Sequence, residues 1–254
     1  MALDWELREH GPTDAAQTVL LLPGGMCSAG SFAEVMAEPS LANLRLVAAT
    51  LPGQTGAAPL DDSSVENYAR LVSELAEQVG ADIVLGFSMG AVVAVEMVVS
   101  GAFTGPVVLL GVSLSTKDEP WFFRALVRLG AGGLLARAAA SMVKRIPASA
   151  ERQAELRTDF RRNVSADAQQ SLREYVGWLG RGEGRAQRLC DAGVPAWVVH
   201  AEKGDGGLTD RERATLEAAS NVTLVTIPGS VFLLPDEAPE QTAAVIADAV
   251  SKVT

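Results

Sequence analysis

Hydrophobic positions along this chain fall into two alternating patterns. Short continuous apolar runs that end in glycine, "QTVLLLPGG" and "LRLVAATLPG", have the form of strands buried on both faces of a parallel sheet. "DIVLGFS", "GPVVLLGVS", "PAWVVHAE" and "NVTLVTIPG" repeat that form. Between them lie segments of helical period. "SVENYARLVSELAEQVG" sets Val65, Tyr68, Leu71, Val72 and Leu75 on one face, with Ser64 as cap and Gly80 as stop. "SFAEVMAE" predicts a short helix, "MGAVVAVEMVVSG" a helix apolar nearly all round, and "PEQTAAVIADAV" a closing helix. "DWELREHG" alternates and runs into a Gly-Pro turn, the pattern of an edge strand. Strands alternating with helices predict an α/β fold, a mostly parallel sheet covered on both faces.

The alternation breaks once. From Lys117 to Cys190 there is no strand-like run, only helical segments such as "WFFRALVRLG", "ARAAASMVKRI" and "AQQSLREYVGWLG". So long a stretch is not a loop. Residues 1–115 and 191–254 are expected to form the α/β core, and residues 116–190 an inserted helical cap.

Charge sharpens this division. The 254 residues carry a net charge of −10, which argues against nucleic acid as a partner. The inserted segment holds 14 Lys+Arg against 8 Asp+Glu, net +6, while the rest holds 7 against 23, net −16. Two readings stand: solvated helix faces, or a basic cap that attracts an anionic substrate or carrier protein. No apolar run approaches the ~18 residues of a membrane span, so no membrane partner is expected. "MALDWELREHG" has no apolar core of a signal peptide. Two distant cysteines, Cys27 and Cys190, make a disulfide scaffold unexpected and fit a cytoplasmic protein. Two His and two Cys give no metal cluster. Neither metal nor cofactor is expected. "PGGMCSAG" lacks dinucleotide-loop spacing, and no acidic residue ends "LRLVAATLPG" to hold a ribose.

Chemistry concentrates at "LGFSMGA". Here Ser88, between Phe87 and Met89, sits in a G-x-S-x-G that joins a buried strand to a helix. Such a turn lifts the hydroxyl above the sheet and aims the first helix amides at any anion beside it. The flanking glycines are expected because strand and helix pass too closely for a Cβ.

With these motifs the chain resembles the α/β-hydrolase superfamily across nearly its whole length. It is similar in particular to small bacterial hydrolases and type II thioesterases with a helical cap. "LLLPGGMCSAGSF" resembles the loop that usually begins His-Gly, with Pro23 at the histidine. The resemblance implies an oxyanion hole from the backbone amides of Gly25 or Met26 together with Met89. "TLPGQTGAAP" resembles D-x-P-G-H-G-x-S with Gln54 at the histidine, and "IPGSVFLLPDEAPEQ" resembles the loop that supplies the catalytic base. In that last loop Phe232 stands at the histidine and Val231 at the glycine before it. No histidine follows His200, so a change of register restores nothing. The family's acid is displaced too: "HAEKGDGG" has Gly204 at the usual position and Asp205 one residue on. Asp205 is either the acid or a surface residue on a glycine turn. His200 is either a core histidine or a relocated base. Cys27 is a second candidate nucleophile, expected to be inert without a nearby base or cation.

A serine without its base is a weak nucleophile, and loss of one triad member costs ~10⁴-fold in rate. The reading is therefore a cap-covered pocket containing Ser88, Cys27, Phe87, Val231 and Phe232. Trp121 and Phe122 either wall it for an apolar or aromatic ligand or pack the cap onto the body. Three functions remain. One is non-hydrolytic chemistry on a small metabolite, such as cyclisation, rearrangement, elimination or carbon–carbon bond formation in bacterial specialised metabolism. The second is ester or thioester hydrolysis with a relocated or substrate-supplied base. The third is ligand binding without catalysis.

Overall fold

The computed structural model describes residues 3–163, 166–203, 207–229 and 233–252. In chain order its elements begin with β1 (Leu7–His10), β2 (Thr18–Leu22), α1 (Ala33–Met36), β3 (Arg45–Ala49), α2 (Val65–Val79), β4 (Ile83–Phe87), α3 (Met89–Val99) and β5 (Val107–Leu110). Helices α4 (Trp121–Arg128), α5 (Gly132–Met142), α6 (Ala150–Arg162), α7 (Ala166–Gly180) and α8 (Arg185–Asp191) follow without a strand. The chain then runs through β6 (Ala196–Ala201), α9 (Asp210–Glu217), β7 (Val222–Ile227), α10 (Leu234–Glu237) and α11 (Pro239–Ser251).

The seven strands form one sheet in the order β1-β3-β2-β4-β5-β6-β7. All neighbours are parallel except the edge strand β1, which is antiparallel to β3. Each of β2, β4 and β5 is buried along its whole length, which is why these runs are apolar without alternation. Their side chains still alternate in direction. Leu20, Leu22, Val84, Val107 and Leu109 pack with α2 and α3; Val19, Leu21, Ile83, Leu85 and Val108 pack with α1 and α11 on the other face.

Local signals set the helix ends. Ser64 caps α2 by accepting the Asn67 amide, and Gly80 closes it in the left-handed conformation at φ 66°. Helix α9 opens with a Thr209/Glu212 capping box. Helix α3 is buried nearly all round because it lies between the sheet, α2 and α8.

Helices α4 to α8 run between β5 and β6. Helices α4, α5, α6 and α7 pack on one another, and α7 also lies against α2. The last helix of the segment, α8, packs instead on α3 and α9. Among the described residues no helix is long and apolar enough to cross a membrane.

Candidate active site

Strand β4 delivers Phe87 directly to Ser88, and the chain turns there into α3 without a connecting residue. Ser88 holds φ 49° and ψ −110°, a conformation that a residue with a Cβ rarely adopts. Its amide donates to Leu110 O at 2.8 Å, and its carbonyl accepts the first helical bond from Val92 at 3.0 Å. The glycines on each side are a steric requirement. A Cβ on Gly86 would stand 2.3 Å from the Gly90 backbone, and one on Gly90 would stand 2.3 Å from Leu22 O. Backbone atoms cannot yield to such overlaps, so the turn exists only with glycine at both positions.

The loop after β2 passes over this turn. A Cβ on Gly24 would lie 3.0 Å from the Phe87 ring and 3.4 Å from Ser88 Cβ. At Gly25 it would meet Met89 at 3.4 Å and the cap residue Leu172 at 3.7 Å. Gly24 thus lies against Ser88, and Gly25 against Met89 and Leu172. Met89 is the first residue of α3, so its amide has no intrahelical partner. Neither its N–H nor that of Gly25 is engaged by another described residue. The Met26 amide is engaged. Its N–H donates to Gln54 Oε1 at 2.8 Å, which leaves the Gly25 amide as the unengaged one of the two.

Met26 is held from both sides. The cap residue Asn163 donates from Nδ2 to Met26 O at 3.0 Å and accepts the Thr55 amide on Oδ1 at 3.0 Å. Met26 (φ 68°), Thr55 (φ 50°) and Ser88 are the described non-glycine residues with positive φ. One buried asparagine therefore fastens two of the three. A second tie runs from Asp159, whose carboxylate accepts Ser28 Oγ at 2.5 Å. A third is the ion pair Arg152–Asp236 at 2.7 Å, buried on both sides. It joins α6 to α10, immediately after the loop where the base was expected. Burial pushes the Asp236 carboxyl up in spite of Arg152. Burial also works against the Arg152 charge, but Asp236 and Glu155 outweigh it and its pKa is raised.

Cys27 lies beside this pair. Burial, then the charges of Asp236 and Asp159, push its thiol up to about 12, which disfavours the reactive thiolate at neutral pH. Phe87 is buried and packs beneath Gly24. Trp121 and Phe122 do not wall the site: they are 75% and 53% exposed on the outer side of α4. The third aromatic of that run, Phe123, turns inward and meets Tyr175 edge-on, centroids 6.4 Å apart. Tyr175 donates to Glu119 Oε1 at 2.6 Å, and Ser113 donates to the same oxygen at 2.8 Å. Burial, reinforced by Glu119, holds the Tyr175 pKa well above its ordinary value. Beside them Asp118 accepts the amides of Leu114 and Ser115 on one oxygen, and the Glu212 carboxylate lies near enough to act on its charge. Burial raises Asp118 to about 7.

Asp205, Val231 and Phe232 lie outside the described residues. The two histidines of the chain lie within them. His10 is paired with Leu46, near the start of β3, whereas Ser88 follows the end of the parallel β4. It therefore stands at the opposite end of the sheet. His200 is buried within β6, two strands from β4 and so roughly 10 Å away between backbones. Alternation along β6 puts it with Ala196 and Val198, on the face covered by α3 and α8. No hydrogen bond joins it to Ser88. A cleft of about 610 Å³ between β1, the Ser28–Gly30 turn and α6 is lined by Glu6, Arg8, Glu155, Asp159 and Arg162, and Ser88 is not among its walls.

A serine on a strained strand-to-helix turn, at the end of a buried strand in a mostly parallel seven-stranded sheet covered by helices, defines a protein of the α/β-hydrolase class. Residues 19–245 match the model of the alpha/beta hydrolase family, and the chain belongs to that family. No curated protein sequence matches it. Among solved structures it is similar to a thermophilic esterase from Thermogutta terrifontis, at 18% identity and TM-score 0.76, over 99% of this chain and 94% of that one. The enol-lactonase from Burkholderia xenovorans LB400 aligns at 17% identity and TM-score 0.76, over 99% of each chain. The N-acyl homoserine lactonase AidH aligns at 20% identity and TM-score 0.74, over 98% of this chain and 93% of that one. At these identities the likeness shows the fold.

Proposed function

We propose that this protein is an enzyme that binds the carbonyl oxygen of a small, largely apolar metabolite between the Gly25 and Met89 amides and the Ser88 hydroxyl. The observation that carries the reading is the strained Ser88 turn combined with the distance of both histidines from it. The strain costs on the order of 1–3 kcal/mol, which a plain binding surface has no use for. The amides stabilise negative charge on an oxygen wherever it develops, in an enolate as well as in a tetrahedral adduct. Without an imidazole to take its proton, Ser88 donates a hydrogen bond to that oxygen and is not acylated. The reaction class is then a non-hydrolytic step through an enolate or related oxyanion: elimination, rearrangement, cyclisation or carbon–carbon bond formation. Gly25 lies against Leu172 and Met89, which suits an apolar substrate.

A second reading is favoured by the relatives. The esterase and lactonases of similar fold suggest ester or lactone hydrolysis, with the base supplied by the substrate. Labelling with a fluorophosphonate, read by mass spectrometry at Ser88 with Ser88→Ala as control, separates the two. The first reading expects no stoichiometric adduct in the folded protein. Labelling of Ser88 within minutes overturns it and puts the hydrolase reading first. A Phe232→His variant that gains nitrophenyl-ester hydrolysis, lost again with Ser88→Ala, shows that this one substitution separates the site from a working triad.

A further inference from the structure

The outer side of α4 and α5 has the wrong chemistry for a face turned only to water. Four of the five exposed large apolar side chains among the described residues lie here: Leu129 (81%), Trp121 (75%), Leu134 (56%) and Phe122 (53%). On α4 this follows from helical geometry. At 100° per residue, Arg128, Trp121, Ala125, Leu129 and Phe122 fall in order across one sector of about 120°, and Val127 points the other way into the core. The stripe is apolar at its centre and cationic at its edge. Exposed patches of this kind mark contact surfaces.

Charge identifies the contact. From Pro120 to Ala150 the chain carries Arg124, Arg128, Arg137, Lys144 and Arg145 and no carboxylate, net +5. The remainder is then −10 − 5 = −15. Arg128, Arg137 and Lys144 are exposed. We propose that the α4–α5 surface seats on an anionic lipid headgroup layer, its aromatic and leucine side chains below the phosphates and its arginines among them. Trp, Phe and Leu on one side with Lys or Arg beside them is the composition of segments that lie in a membrane interface. An acidic protein would match the cations and leave the apolar stripe uncovered. A second copy docked through the same face would set +5 against +5. Lipid meets both halves of the surface, and a seated surface needs no spanning helix. The expectation from the sequence that no membrane is involved rested on the absence of a span, which this mode does not require. The inference stands apart from the proposed chemistry at Ser88.

The test is sedimentation of the full chain with vesicles of phosphatidylcholine, alone and mixed with phosphatidylglycerol. Trp121 fluorescence is followed in parallel. Of the other three tryptophans, Trp178 and Trp197 are buried and Trp5 is half-buried, so the part of a blue shift that Trp121→Ala removes reports Trp121. Binding is expected only to the anionic vesicles, weakening as salt rises. Leu129→Glu and Trp121→Ala are each expected to weaken it at least about tenfold. Both positions are exposed, and unchanged circular dichroism and melting temperature confirm that the variants fold. Absence of binding to anionic vesicles at low salt overturns the inference. So does binding that neither variant weakens, which would make the surface a purely electrostatic one. A dimer in sedimentation velocity that Leu129→Glu dissolves, without vesicle binding, would assign the face to a second copy.

Discussion

Ser88 is the residue on which the site turns, and its backbone makes a claim that needs no substrate to test. At φ 49° and ψ −110° any side chain with a Cβ is strained, and glycine is not. Ser88→Gly is therefore expected to stabilise the protein by about 1 kcal/mol, or about 2–4 °C in melting temperature, after the added freedom of the unfolded chain is subtracted. Ser88→Ala keeps the Cβ and is expected to show no such gain. Equal melting temperatures for the two variants would mean that no strain is held at the turn. The elbow was legible in the sequence because all of its determinants are local: a buried strand, G-x-S-x-G and a helix in unbroken succession. The clamp on Met26 was not. Gln54 stood out only as a departure from the family's histidine, and Asn163 carried no signal, since it meets Met26 from 137 positions away. Trp121 and Phe122 show the converse limit. In "PWFFRALVRLG" the apolar residues cover about 240° of the helix, too wide an arc for periodicity to say which of them face outward.

At the scale of elements, the step from β5 into the cap is governed by a carboxyl pair. Asp118 is raised to about 7 by burial and by Glu212. Burial works against the Glu212 charge too, but the hydrogen bonds from Thr209, with the neighbouring Asp118 carboxyl, outweigh it and its pKa is lowered. The sign follows from linkage. Asp118 keeps its proton in the folded state up to about pH 7, whereas its ordinary value is 3.8. Unfolding therefore releases a proton between those values. The stability Asp118 contributes is present below pH 4 and lost as pH rises through 7. Asp118→Asn retains an oxygen for the amides of Leu114 and Ser115 and presents a neutral donor toward Glu212. It is expected to be more stable than the parent at pH 8 by about 1–2 kcal/mol, allowing for solvent screening, with the difference closing toward pH 4. Urea denaturation of both proteins across that range is the measurement. A difference that does not change with pH would mean that Asp118 ionises as an ordinary carboxyl. Elements of this kind are hard to read in advance. The Thr209/Glu212 box announces α9, but its meeting with Asp118 spans 94 positions and exists only once β5 and β6 are paired.

For the whole molecule, the question is how firmly the helices beside Ser88 are held, since Leu172 of α7 lies against Gly25. Helices α6 and α7 are tied to the body by buried polar contacts: Asp159 to Ser28, Asn163 to Met26 and Thr55, Arg152 to Asp236, and Ser171 to Tyr68. Removing one partner of a buried, paired charge costs about 3–5 kcal/mol, so these helices do not lift as a body at low cost. Helices α4 and α5 have no comparable ties among the described residues. They bury Val127, Ala136, Ala139 and Ala140 and expose two aromatics and two leucines. These helices thus form two parts of unequal expected stability, α4 and α5 being the weaker. Amide hydrogen exchange measures this directly. Amides of α6 and α7 are expected to exchange near the global unfolding free energy, together with β4 and α3. Those of α4 and α5 are expected to open locally, at least about 2 kcal/mol below it. Equal protection across all four helices would remove the distinction and require the cap to open as one piece. With the distinction upheld, the part of the cap that opens most easily is the part that carries the apolar, cationic face. A surface seated there would then act on that weaker part without touching Ser88.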